Sequence, residues 1–356
     1  MANGLDGTIT AETVLSHTDR TNGMVWVRGH ALPALVADHG FEGTVALLWD
    51  GFAGDNLTRS GISSAFGRTR IAAYRMLHVW MPQTAGRPLF EGMRIAIAAQ
   101  PDGADAADLL GALTVAVPAL ARQAVGLSPV APDPSLSTAA DLLRMLAGAP
   151  PDDAKVAALD TYFTVMAESG LSASAFTARV VASTRASLTA SVLAAWCAFT
   201  GALHGGAPGP TLDMLDAAES ADDLDAWLET RLRSGERLMG FGHRVFHGND
   251  PRAEAMRWAM LAMAPGTGRL AFADRLEKAV AVAIERVKPG RTLPANVEIM
   301  AALLLDAVGI PRAAFSPVFA VGRSAGWLAH AMEQRKTGRM IRPVSAYVGP
   351  PVPGQG

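Results

Sequence analysis

Apolar residues recur at helical spacing over most of the chain, and at the alternating spacing of strands only near its start. Between 220 and 233, Leu224, Trp227, Leu228 and Leu232 fall on one stripe. Ser220 is placed to cap that helix, and Asp223 takes the capping-box position, though it is shorter than the usual Glu. The stretch 186–203 carries no charge over 18 residues, the lower limit for a membrane span. Ser187, Thr189, Ser191, Thr200 and Gly201 dilute it and no flanking anchors frame it, so it predicts a helix buried on all sides. Short β-like runs, ending in Met24-Val25-Trp26-Val27 and broken by Asp6-Gly7 and Asn22-Gly23 turn signals, occupy the opening segment. Prolines 129, 132 and 134, and then 150 and 151, mark surface loops at 127–137 and 148–153 that separate helices rather than domains. Asp250 and Pro251 suit the cap and first turn of a further helix. Arg252 then lies beside N-terminal N–H groups, a favourable place for an anion. The pattern predicts a mainly α fold with a small N-terminal β ribbon.

Composition adds size and excludes some partners. With 356 residues, half of them apolar and only 18% charged, the chain can bury a core for one large or two interdigitated domains. The net charge of −2, with Lys and Arg scattered, leaves no footprint for nucleic acid or an anionic membrane, so any anion must be held by a few local groups. One cysteine, Cys197, excludes an intrachain disulfide and a cysteine-cluster metal site, and its Ala-Trp-Cys-Ala-Phe setting predicts an inert buried thiol. The first twenty residues hold no apolar core behind basic residues, which predicts a cytoplasmic protein with no secretory signal. No repeat has a fixed period.

Candidate chemistry sits in three glycine-rich, polar segments of this apolar chain: Leu203-His204-Gly205-Gly206-Ala207, Gly240-Phe241-Gly242-His243-Arg244-Val245, and Pro294-Ala295-Asn296-Val297-Glu298. Taken alone, a histidine next to glycines reads more readily as a turn residue bonding its own backbone than as a catalyst. In order along the chain, however, these segments, Asp250-Pro251-Arg252, Gly322-Arg323 before a Trp-bearing helix, and Ile341-Arg342-Pro343 resemble the citrate synthase family. Gly4-Leu5-Asp6-Gly7, Arg28-Gly29-His30 and the run from Ala173 through Arg179 to Thr184 are also similar to its bacterial members, which include 2-methylcitrate synthases; only about 55–150 matches poorly.

The resemblance implies a two-domain helical homodimer, with a large domain of 1–203 plus 308–356 and a small domain of 204–307 that closes over the substrates. It implies condensation of an acyl-CoA thioester with a 2-oxo acid, the thioester being substrate, with no permanently bound cofactor and no metal. Glu298 would be the base that takes the proton from the thioester's methyl group, and His204 the donor to the developing enolate oxygen. His243 would polarise the acceptor's carbonyl. Arg252, Arg323 and Arg342 would hold its carboxylates, Arg342 from the other subunit. Coenzyme A would lie along Leu238, Gly240, Phe241 and Gly242 and near Asn296. Lys288 and Arg291 are either partners of its phosphates or two solvated loop charges.

Two positions depart from the pattern. Glu298 stands where the best-known members have Asp, and its extra methylene moves the carboxylate by roughly 1.5 Å, a displacement that can cost on the order of 100-fold in rate. Ser169 stands where a histidine bonds the acceptor, and losing a charge-assisted bond costs about 1.5–3 kcal/mol. Ser169 therefore leaves open a different acceptor, or a non-catalytic homologue that binds coenzyme A or an acid. Gly322-Arg323-Ser324-Ala325-Gly326 also matches the nucleophile elbow of α/β-hydrolases. Only His330 follows it, with no acid between and on what reads as the same helix, so that reading fails.

Overall fold

The computed structural model describes residues 5, 7–19, 22–201, 204–205, 208–242, 250–263 and 268–350. The strands come first: β1 (Ser16–Asp19), β2 (Met24–Val27) and β3 (His30–Ala31) form one antiparallel ribbon in sequence order, with Ser16 opposite Val27 and Val27 opposite His30. Val25 and Val27 point into the core from alternate positions of β2, as a ribbon with one buried face requires.

The elements that follow are helical. They are α1 (Leu32–Ala34), followed by a π-helical turn, α2 (Gly40–Trp49), α3 (Arg59–Arg75), α4 (Leu77–Trp80), α5 (Leu89–Ala98), α6 (Ala106–Ala124), α7 (Thr138–Ala147) and α8 (Asp153–Met166). Then come α9 (Ala173–Ser183), α10 (Leu188–Phe199), α11 (Pro208–Glu219), α12 (Leu224–Ser234), α13 (Pro251–Met263), α14 (Gly268–Val287), α15 (Val297–Val308) and α16 (Phe315–Thr337). The expected loops around 127–137 and 148–153 fall between α6, α7 and α8.

One apolar core runs through the whole chain. α16 lies at its centre, with every residue from Phe315 to Gln334 buried except Phe319, and packs on α9, α10, α6 and α8. α11 to α15 pack largely on one another, and α13 and α15 rest on α8. The elbow-like run from Gly322 to Gly326 lies inside α16 without a strand or turn. Among the described residues no helix is long and apolar enough to cross a membrane.

Three expectations change: the residue that caps α12, the burial of α10 on all sides, and the burial of the Cys197 thiol. The cap of α12 is Asp223, whose carboxylate accepts from the Ala226 N–H at 3.0 Å, whereas the Ser220 hydroxyl turns back to the Asp216 carbonyl. Both residue types can cap. The extended backbone belongs to Asp223 (φ −131°, ψ 102°), and that conformation decides which one does. α10 is not buried all round: Trp196 and Phe199 face the core, while Leu193 is half-buried and Cys197 is exposed. Its missing charges therefore do not mean that its own chain covers every side.

Candidate active site

The loop from Ala167 to Ser172 joins α8 to α9 across the middle of α16, and most of the predicted acceptor residues gather around it. Arg323 projects from α16 toward the end of α8, where its Nε donates to the Met166 carbonyl at 2.7 Å, and its guanidinium lies 5.0 Å from the Phe319 ring. Gly326 sits three residues on, one turn along the same face. A Cβ there would stand 2.4 Å from both the Ala167 carbonyl and a Glu168 carboxylate oxygen, so only glycine permits this approach.

Next comes Trp327, buried, whose Nε1 donates to the Ser174 hydroxyl at 3.0 Å. Ser174 in turn holds His204. Its Oγ lies 2.8 Å from Nε2 and its backbone N–H donates to the same nitrogen at 3.3 Å. An acceptor at Nε2 has no proton there, so the neutral ring carries its proton on Nδ1. Phe199 packs edge-on against the imidazole at 5.4 Å. Burial first, and the charge of Arg323 second, push the His204 pKa from 6.5 down to about 4.

Arg252 reaches the same loop from the first turn of α13. Asp250 fixes it through Nε (2.9 Å) and Nη2 (2.7 Å), and Nη1 donates to the Ser169 hydroxyl at 2.9 Å. Asp250 also accepts the backbone N–H of Arg252, so this helix-terminal donor, expected to await an anion, is occupied by the cap. Arg323 is fully buried and its pKa falls to about 10, chiefly through desolvation and further through Arg252, while Glu168 opposes the fall. It stays charged at neutral pH. Two guanidinium groups this close make a place where a di-anion relieves repulsion.

A second group assembles around the start of α15. Asn296 caps that helix, accepting from the Glu298 N–H at 2.9 Å, and places the half-buried Glu298 in its first turn. The turn at 240–242 docks here. Asn296 N–H donates to the Gly240 carbonyl (2.8 Å), Gly242 N–H to the Pro294 carbonyl (2.8 Å), and the Asn296 amide to the Gly242 carbonyl (3.1 Å). Gly240 adopts φ +79°, a left-handed turn that a side chain would strain. Leu238 and Phe241 are buried beneath it. A cavity of about 310 Å³ lies beside Asn296, lined by Asp250, Ala253, Glu254, Arg257, Glu277, Pro294, Ala295, Asn296 and Met300.

Lys288 and Arg291 are exposed in the turn after α14. Arg342 is exposed in the extended segment after α16, and His243 lies outside the described residues. Sequence reasoning missed Ser174, Trp327, Glu168, Arg179 and His330. The last four are polar or aromatic groups buried in or against one apolar helix, and a signal was present: Arg323, Trp327, His330 and Gln334 recur along α16 at helical spacing.

Residues 4–344 match the family described as citrate synthase, C-terminal domain. A putative citrate synthase 2 of Mycobacterium tuberculosis is 35% identical over 98% of this chain and 92% of its own length, and that organism's 2-methylcitrate synthase is 31% identical over 97% and 90%. The crystal structure of citrate synthase from Thermotoga maritima superposes with a TM-score of 0.85 at 26% identity, covering 98% of this chain and 95% of that one.

Proposed function

Because the chain belongs to the citrate synthase family, we propose that it condenses acetyl-CoA or propionyl-CoA with oxaloacetate or a related 2-oxo acid and hydrolyses the product thioester to release coenzyme A. The observation that carries this reading is His204, held by Ser174 as a neutral Nδ1–H donor beside the buried Arg323. A neutral donor suits an enolate oxygen, because its proton is shared in the transition state rather than lost beforehand.

In the proposed sequence Glu298 takes a proton from the carbon next to the thioester carbonyl, and His204 donates to the oxygen on which charge develops. The enol carbon then attacks the acceptor's ketone, whose oxygen takes up a proton with His243 as donor. Water adds to the thioester carbonyl, and the sulfur leaves as the coenzyme A thiol. Arg252 and Arg323 hold the acceptor's carboxylates, joined by Arg342 of the second copy in a homodimer. The 240–242 turn and Asn296 seat coenzyme A as the small domain, 204–307, closes over the large one. Ser169 keeps a role in this scheme, because its hydroxyl braces Arg252. The non-catalytic alternative had that residue as its only support.

The test is release of free thiol from acetyl-CoA and propionyl-CoA with oxaloacetate, for wild type beside Ser169→His. Wild type should release thiol only with both substrates present, and the histidine variant should lower the KM for oxaloacetate by roughly tenfold, the worth of a charge-assisted bond. No release from either thioester with any 2-oxo acid offered would end the proposal.

A further inference from the structure

A second polar cluster lies buried behind the acceptor residues, and the condensation does not use it. Its hub is Arg179 of α9, which is 2% exposed. Nε donates to the Gln334 side-chain carbonyl at 3.0 Å, and Nη1 donates both to His330 Nδ1 at 3.0 Å and to a carboxylate oxygen of Glu333. Since the His330 Nδ1 accepts, its proton lies on Nε2, which donates to Glu168 at 3.2 Å. The same Glu168 oxygen accepts from the Ser16 hydroxyl at 2.9 Å and the Gly170 N–H at 2.6 Å. Buried charges persist only when paired, and here Arg179 faces Glu333 while Glu168 answers Arg323.

Each branch from Arg179 ends at a segment that bears on the acceptor. Through His330 it fixes Glu168, next to Ser169, which braces Arg252. Through Gln334, whose amide donates to the Arg339 carbonyl at 2.8 Å, it fixes the root of the segment bearing Arg342. Ser183, at the end of α9, accepts the Ile341 N–H at 3.0 Å and pins that segment again one residue before Arg342. Through Glu333, which accepts from the Val14 N–H at 2.9 Å, it holds the residues leading into β1 and hence Ser16.

We infer that Arg179 is a positioning residue of the acceptor site, setting through its fork both the loop that carries Ser169 in its own chain's site and the root of the segment that carries Arg342 to the other copy's site. This rests on the proposed function for the nature of the acceptor. A merely structural cluster would loosen both substrates alike when cut. A positioning role predicts an effect confined to the 2-oxo acid.

The experiment pairs calorimetric titration of oxaloacetate into the full-length protein with steady-state KM values for both substrates. Arg179→Lys keeps a charge beside Glu333, but an ammonium cannot serve three partners in the geometry of a guanidinium fork. It should weaken oxaloacetate binding on the order of tenfold and raise that KM in proportion, while the acetyl-CoA KM stays within about twofold. Unchanged oxaloacetate affinity in a folded variant, or equal rises in both KM values, would overturn the inference. Should Arg179→Lys not fold, Gln334→Met decides. It cuts only the branch to Arg339, and it must weaken oxaloacetate alone for the inference to stand. Wild type that binds oxaloacetate without turnover would remove the proposed reaction and leave this inference supported or overturned by the same affinities. Wild type that binds no 2-oxo acid would overturn both.

Discussion

Burial moves the pKa values of His204 and Asp160 in opposite directions, each toward the neutral form, and each shift has a pH consequence. With a pKa near 4, the His204 ring is already neutral at pH 5. Removing it as His204→Ala should lower kcat by about 10²- to 10³-fold, the cost of one oxyanion donor. That factor should be the same at every pH from 5 to 8. A variant-to-wild-type ratio that drifts tenfold across that range would show that the ring titrates there. Asp160 on α8 goes the other way: desolvation, then the neighbouring Glu42 carboxylate, raise its pKa from 3.8 to about 6. The folded state thus holds this proton more tightly than the unfolded chain. Its contribution to stability is fully present below pH 4 and is lost as pH rises through 6. Asp160→Asn, which keeps an acceptor for the Phe41 N–H, should therefore be the more stable protein at pH 7 to 8, by at most about 3 kcal/mol. Melting curves of the two proteins should converge toward pH 4; parallel curves between pH 4 and 6 would contradict the assignment.

α16 binds the site together because one face of it meets the 166–174 segment at Arg323, Gly326, Trp327 and His330 in succession. Gly326→Ala tests that close approach. The added methyl group must displace the Ala167 carbonyl or the Glu168 carboxylate, at a cost of about 1–3 kcal/mol for an overpacked core site. The variant should melt several degrees lower and show a raised KM for the acceptor, read by denaturation and steady-state kinetics. An unchanged melt would mean that the loop yields freely. Elements differ in how far the sequence revealed them. The β ribbon, the α13 cap at Asp250 and the 240–242 turn were legible because local chemistry fixes them: turn residues, a cap, glycines at positive φ. Asn296 was expected as a site residue only through resemblance, and its capping of α15 came from the structure. The α16 face was not legible, because its polar residues gain meaning only from α9 and the 166–174 segment, far away in sequence. Cys197 misled for a related reason, since apolar neighbours in sequence do not place a side chain on the covered face of a helix.

From 338 to 350 the backbone has no helix or strand, and Met340, Val344, Tyr347 and Val348 are 57% to 97% exposed. Burying such side chains is worth about 1.5–3 kcal/mol each, so an extended segment that leaves four in water within one chain is suited to cover a second chain. Arg342 lies among them and is itself exposed. If each acceptor site takes its third arginine from the other copy, a defect at 342 and a defect at 204 damage different sites when they lie on different chains. In a mixed dimer of Arg342→Ala with His204→Ala, one site then keeps His204 from the first chain and Arg342 from the second, while the other site loses both. Random pairing makes half the dimers mixed, each with one intact site of two, so two nearly inactive proteins refolded together should recover about a quarter of wild-type turnover. Recovery near that level, with size-exclusion chromatography reporting dimers, would establish the shared site. If Arg342 acts within its own chain, no pairing restores an intact set and the mixture stays as inactive as its parts.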